Sequence, residues 1–144
     1  MEKTEQIIFY AIDRCIKTYR QLAQERLSAA GFDLTVDQWL VMNVVREHPD
    51  ASQQQIAQAV FKDNASVTRI IDLLVTKAYL KRSVLGTDRR KSSLAITAKG
   101  KKLMTLASAI VKSYRGLALK GVSLNDLNKV RAVLNKIIDN CSNA

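Results

Sequence analysis

Apolar residues recur at three- and four-residue intervals along most of this chain, and in one region the interval changes to two. Between residues 5 and 30, Ile8, Ile12, Cys15, Tyr19, Leu22 and Ala23 share one helical face, with Asp13, Arg14, Lys17, Arg20, Gln24 and Glu25 largely elsewhere. The spacing predicts a long amphipathic helix that ends near Gly31. Thr35-Val-Asp-Gln38 has the form of a capping box and opens a second helix through Trp39, Leu40, Met42, Val44 and Val45, which stops before Pro49. Ser52-Gln-Gln-Gln55 repeats the device ahead of Ile56, Ala57 and Val60, predicting a short third helix. Asp63 or Asn64 caps a fourth, in which Val67, Ile70, Ile71, Leu74 and Ala78 form the apolar stripe. Its opposite face, carrying Ala65, Thr68, Arg69, Asp72 and Thr76, is small and polar toward the N-terminal end.

The interval then shortens. Leu80 to Leu85 and Ser92 to Thr97 read as two strands, and the intervening Gly86-Thr-Asp-Arg-Arg-Lys91 as a hairpin turn. Thr97 caps another helix, with Leu103, Leu106, Ile110 and Leu117, expected to break around Gly116 to Gly121. Ser123-Leu-Asn-Asp126 starts the last one. There Leu127, Val130, Leu134, Ile137 and Cys141 have the alternating three-and-four spacing of a seam between helices. The seam suits packing within the chain or against a second copy. The length and apolarity of the two end helices favour a homodimer made by the ends of the chain, residues 5–31 and 98–141. Residues 34–97 form the compact middle of a single 144-residue domain.

Composition narrows the chemistry. The chain is 47% apolar, with five glycines and one proline, which argues against disorder and a disulfide scaffold. The start MEKTEQIIFYAIDRC interrupts its apolar residues with charges and offers no small-residue cleavage site. No apolar run approaches the ~18 residues of a membrane span. A cytoplasmic protein without a membrane partner is expected. Cys15 and Cys141 lie far apart in apolar stripes, so buried thiols are expected, with no metal site. One histidine, no Gly-rich phosphate loop and few clustered acids argue against an enzyme and imply no cofactor.

Net charge is +10 and unevenly placed. Residues 1–50 hold six basic and eight acidic side chains, whereas 62–102 hold eleven basic and three acidic ones. The positive field is concentrated around the hairpin. A helix entering a DNA major groove presents short side chains so that its backbone approaches the base edges, and its N-terminus carries partial positive charge. Asn64, Ala65, Ser66, Thr68 and Arg69 meet that need. A flanking hairpin can set a guanidinium into the electronegative minor groove. The pattern therefore predicts a mainly α fold, a winged helix-turn-helix with a two-stranded hairpin wing and terminal dimerisation helices, whose partner is double-stranded DNA.

The runs LTVDQWLVMNVV, SQQQIAQAVFKDNASVTRIIDLLVTKAYLKR and GTDRRKSSLAITAKGKK, in unbroken order over residues 34 to 102, resemble the MarR family of bacterial winged-helix repressors. The resemblance implies a homodimeric, sequence-specific regulator, with the helix from about Asn64 to Ala78 as recognition helix. It implies base or phosphate contacts from Ser66, Thr68 and Arg69. Asp88 would orient Arg90 into the minor groove, and Arg89 and Lys91 would add phosphate or groove contacts. Ser52, Gln53 and Gln54 would hold phosphate at another helix N-terminus. Ser52 equally suits a cap, Thr68 a short surface residue and Asp88 a turn.

Many members of that family respond to small phenolic or aromatic acids in a crevice beside the DNA-binding part. Tyr19, Trp39, Met42, Arg46 and His48 are the candidates to line one here, since an aromatic wall and a cation suit an amphipathic anion. Trp39 and Met42 at helical spacing are more often core, and His48 beside Pro49 is more often a loop residue. Where the family often has glycine before the first wing strand this chain has Ala78, so a backbone with negative φ is expected there. The peroxide-sensing branch carries a reactive cysteine nearer Leu22 than Cys15, so no thiol switch is implied. The alternative to a specific regulator is a non-specific architectural DNA-binding protein, whose affinity falls with salt and ignores sequence.

Overall fold

The computed structural model describes residues 1–84 and 92–144. After a 3-10 turn at Thr4–Gln6, the elements are α1 (Ile8–Ala29), α2 (Val36–Glu47), α3 (Gln53–Ala59), α4 (Asn64–Thr76), β1 (Leu80–Val84), β2 (Ser92–Ile96), α5 (Ala98–Ala118) and α6 (Leu124–Ser142). The strands form an antiparallel pair with Leu80 opposite Ile96 and Arg82 opposite Leu94. The architecture is a mainly α winged helix. The proposed tip, Gly86 to Lys91, lies outside the described residues.

The chain divides into two units, Met1–Tyr114 and Arg115–Ala144. In the first, one core gathers Leu27 of α1, Val41 and Met42 of α2, Ile56 of α3, Val67, Ile71 and Leu74 of α4, Leu80 and Leu94 of the strands, and Met104, Ala107 and Val111 of α5. The three-and-four spacing of α4 becomes burial at Val67, Ile71 and Leu74. In the second unit, α5 continues through Gly116 to Ala118, so the break falls at Leu119–Gly121, the later part of the expected stretch, where Gly121 takes φ +78°. Ser123 then caps α6 by accepting the Asp126 N–H at 3.1 Å.

The other caps follow their sequence signatures. Thr35 Oγ1 accepts the Gln38 N–H at 3.0 Å while Gln38 Oε1 accepts the Thr35 N–H at 3.1 Å. Ser52 and Gln55 repeat the exchange at 3.1 and 2.8 Å. Gln24 reaches from α1 to the next connection, its Oε1 accepting the Val36 N–H at 3.0 Å and its Nε2 donating to the Leu34 carbonyl at 3.2 Å.

Helices α1, α3 and α4 end alike. Past each C-terminus a residue with positive φ turns the chain: Gly31 at +87°, Phe61 at +59° and Ala78 at +63°. Each N–H closes back onto a carbonyl three residues earlier, and the next N–H onto one five earlier, the Schellman pattern that satisfies terminal carbonyls. Ala78 corrects the expectation of negative φ: those closing bonds fix the left-handed turn despite the methyl group. A left-handed non-glycine residue costs about 1–2 kcal/mol.

Two expectations about the ends change. Cys15 and Cys141 are both exposed. In α1 only Ala23 and Leu27 are buried, and in α6 no residue is, so a helical stripe there does not become a core. Among the described residues no three metal-ligating side chains are grouped, and no helix is long and apolar enough to cross a membrane.

Candidate DNA-binding face

Helices α3 and α4 are joined by a four-residue connection and by a side-chain bond. Gln53 Nε2 donates to Thr68 Oγ1, and that hydroxyl donates to the Asn64 carbonyl at 2.8 Å. Gln53 and Thr68 are both half-buried, so this pair sets the two helices against each other, and the Thr68 hydroxyl already uses its proton and a lone pair. The structure thus brings Gln53 and Thr68 together as partners, whereas Gln54 is exposed at the start of α3 and the Ser52 hydroxyl serves the cap.

At the start of α4, Asp63 Oδ1 accepts the Ser66 N–H at 2.7 Å and Oδ2 accepts the Ser66 hydroxyl at 2.9 Å. The backbone bond first, and the hydroxyl bond next, hold the Asp63 carboxyl below its ordinary value. Arg69 Nη2 donates to Ser66 Oγ at 3.4 Å. The Ser66 hydroxyl therefore has its proton engaged and keeps one acceptor lone pair. Asn64, Ala65 and Arg69 are exposed beside it, a face with short side chains and one long cation. In the sequence alone Asp63 is marked only as a cap. Its three-residue spacing to Ser66 is the signal that it also orients a candidate contact.

The wing is tied to this face by an ion pair between Arg82 of β1 and Asp72 of α4. Lys77, just past α4, pairs with Asp33 at 3.0 Å. Lys99 at the start of α5 donates to the Lys77 carbonyl at 3.0 Å and lies 5.0 Å from the Tyr79 ring centroid. Lys81, Arg82, Lys99, Lys101 and Lys102 are all exposed, so the basic surplus lies on the surface. Asp88, Arg89, Arg90 and Lys91, the candidate wing contacts, fall outside the described residues.

A third ion cluster anchors the turn between α3 and α4. Asp37 of α2 pairs with Arg20 of α1 and, at 3.1 Å, with Lys62 of the turn. Burial pushes the Asp37 carboxyl up, but the hydrogen bonds and charges of Arg20 and Lys62 outweigh it and hold the carboxyl below its ordinary value. These three positions lie 17 and 25 residues apart in sequence, and nothing local marks them as partners.

The five candidate ligand residues do not line one crevice. Trp39 and Arg46 line a cavity of about 250 Å³ together with Asn43, Met104, Thr105 and Ser108. Arg46 there donates to Asn43 Oδ1 at 2.8 Å and pairs with Glu47 at 3.3 Å. His48 lines a separate open depression of about 570 Å³ with Glu47, Pro49, Asp50, Ala51 and Gln55. Met42 is wholly buried in the core, and Tyr19 packs edge-on against Tyr114 with ring centroids 5.8 Å apart.

Two clamped helices, the second with an exposed small and polar N-terminal face, and an antiparallel strand pair ion-paired to that helix define the winged helix-turn-helix fold. Residues 32–91 match the MarR family. The fold is shared with a protein of unknown function from Listeria innocua, 29% identical over 92% of this chain and 91% of that one, with a TM-score of 0.71. Bordetella bronchiseptica BpsR, whose DNA binding is regulated by 6-hydroxynicotinic acid, is 19% identical with a TM-score of 0.84, covering 96% of this chain and 98% of BpsR. A mutant MarR from E. coli, solved with operator DNA, is 20% identical with a TM-score of 0.79, covering 88% and 90%. The chain thus has the winged-helix fold of these proteins and resembles the MarR family across its middle, residues 32–91.

Proposed function

We propose that this protein is a homodimeric, sequence-specific repressor of transcription that binds a pseudo-palindromic operator. The observation that carries the reading is the α3–α4 clamp, Gln53 to Thr68, which holds a short-side-chain face of α4 outward with Arg69 exposed upon it. Two such faces related by a two-fold axis enter successive major grooves about one helical turn apart. Asn64, Ser66 and Arg69 reach base edges or phosphate, Ser52, Gln53 and Gln54 approach the backbone, and Arg90 enters the minor groove with Asp88 orienting it. The dimer is supported by apolar side chains left exposed in each unit: Ile8, Phe9 and Ile16 in the first, Val130, Val133 and Ile138 in the second.

The cavity walled by Trp39 and Arg46 suits a small aromatic or phenolic acid, with the indole against the ring and the guanidinium toward the anion. Such an effector releases DNA by binding more tightly to a conformation whose two reading heads are wrongly spaced. The reading is tested by binding the purified protein to duplexes of its own upstream intergenic DNA and to scrambled duplexes, at two salt concentrations. Preference for the native duplex that survives the higher salt supports a specific regulator. Equal affinity for both, lost together as salt rises, supports an architectural protein instead.

A further inference from the structure

Phe61 stands in the connection between α3 and α4 and is 93% exposed, more than any other aromatic residue of the chain. It also occupies a left-handed backbone position, φ +59°, where glycine is the residue without strain. Its ring joins no core, since the buried cluster and the partly buried residues packed on it include its neighbour Val60 but not Phe61. The backbone beneath the ring is held firmly. The Phe61 N–H donates to the Gln58 carbonyl at 3.2 Å, the Lys62 N–H donates to the Ala57 carbonyl at 2.9 Å, and Lys62 is ion-paired to Asp37. Two residues further on, Asp63 caps α4.

A large apolar ring is therefore displayed from a rigid base beside the N-terminus of the reading helix, at a cost in both strain and exposure. We propose that Phe61 is a specificity-determining DNA contact whose ring packs against a thymine C5-methyl group at the major-groove edge of each half-site. Thymine is the base that presents an apolar group in that groove, and phenylalanine is a side chain that can meet it. The positive surplus of residues 62–102 and the exposed Arg69 bring the polyanion to this turn. The inference rests on the proposed role of α4 as recognition helix.

The test uses the duplex of upstream intergenic DNA that the wild type prefers to its scrambled form. Phe61→Gly removes the ring and relieves the backbone, so it is expected to unfold at a higher temperature than wild type while binding that duplex more weakly. Deoxyuridine is then placed at each thymine in turn. At one thymine in each half-site, loss of the methyl weakens wild-type binding about fourfold, from the ~0.8 kcal/mol of one buried methyl-sized group. Phe61→Gly shows no loss at those positions, and Phe61→Leu retains part of it. Wild-type affinity in Phe61→Gly, or weaker binding with the same uracil penalties as wild type, overturns the contact. Absence of any native-duplex preference in the wild type would instead sink the specific-regulator reading, before Phe61 is tested.

Discussion

Replacing Gly100 with alanine places a methyl carbon where the chain already has backbone. An ideal Cβ at this position lies 2.3 Å from the Tyr79 carbonyl oxygen, 2.8 Å from Ile96 Cγ2 and 3.1 Å from the Tyr79 carbonyl carbon. The Tyr79 carbonyl cannot swing away, because it accepts the Thr97 N–H at 3.1 Å, and the Thr97 hydroxyl donates to the adjoining Ala78 carbonyl at 2.6 Å. The first turn of α5 must therefore shift and weaken the cap in which Thr97 Oγ1 accepts the Gly100 N–H at 3.0 Å. Overpacking of this kind costs about 3 kcal/mol or more when rigid backbone is the obstacle. Alanine returns about 1 kcal/mol in helix propensity, leaving a net loss of about 2 kcal/mol. Gly116, in the same helix, has no such neighbour within 4 Å, so Gly116→Ala is expected to stabilise by up to about 1 kcal/mol. Urea unfolding of the two variants and the wild type at one protein concentration measures both signs. Gly100→Ala as stable as wild type would refute the close approach, and destabilisation by both variants would refute the contrast between the two sites.

Ala78→Gly removes the left-handed penalty past α4 and is expected to raise stability by about 1 kcal/mol, read by the same unfolding curves. Asp37 has its carboxyl held below the ordinary value, so its contribution is complete above the unfolded-state pKa and disappears as pH falls through the lowered folded value. Asp37→Asn is expected to cost about 0.5–1 kcal/mol at neutral pH, two partly exposed ion pairs' worth, and to flatten the acid side of the stability profile. An unchanged acid limb would remove Asp37 from the pH response. Arg90→Ala is expected to weaken operator binding by about 1–3 kcal/mol while leaving folding intact; equal affinity in a gel-shift titration would take the wing out of recognition.

The reading face was partly legible before folding. The run from Asn64 to Arg69 announced a helix end with short side chains, and the bonds of the Asp63 cap lie within three residues. What the sequence did not announce was how those side chains are engaged. Thr68 is committed to Gln53, fifteen residues away, and the Arg20–Asp37–Lys62 cluster joins three elements with no periodic relation. Met42 and Trp39 share one helical face and both join the buried core, as their spacing suits, yet only Trp39 also borders a cavity, which local spacing does not decide.

The sequence by itself determined the element order, the capping boxes at Thr35 and Ser52, the apolar stripe of α4 and the concentration of positive charge. Each depends on residues within a few positions, where hydrogen-bond reach and helical period suffice. Tertiary structure alone decided the close approach at Gly100, the exposure of Cys15 and Cys141, and the ring displayed at Phe61. Those outcomes depend on where distant backbone passes and on which faces find a neighbour. A stripe of apolar residues states that a face wants cover, while only packing shows whether cover is there.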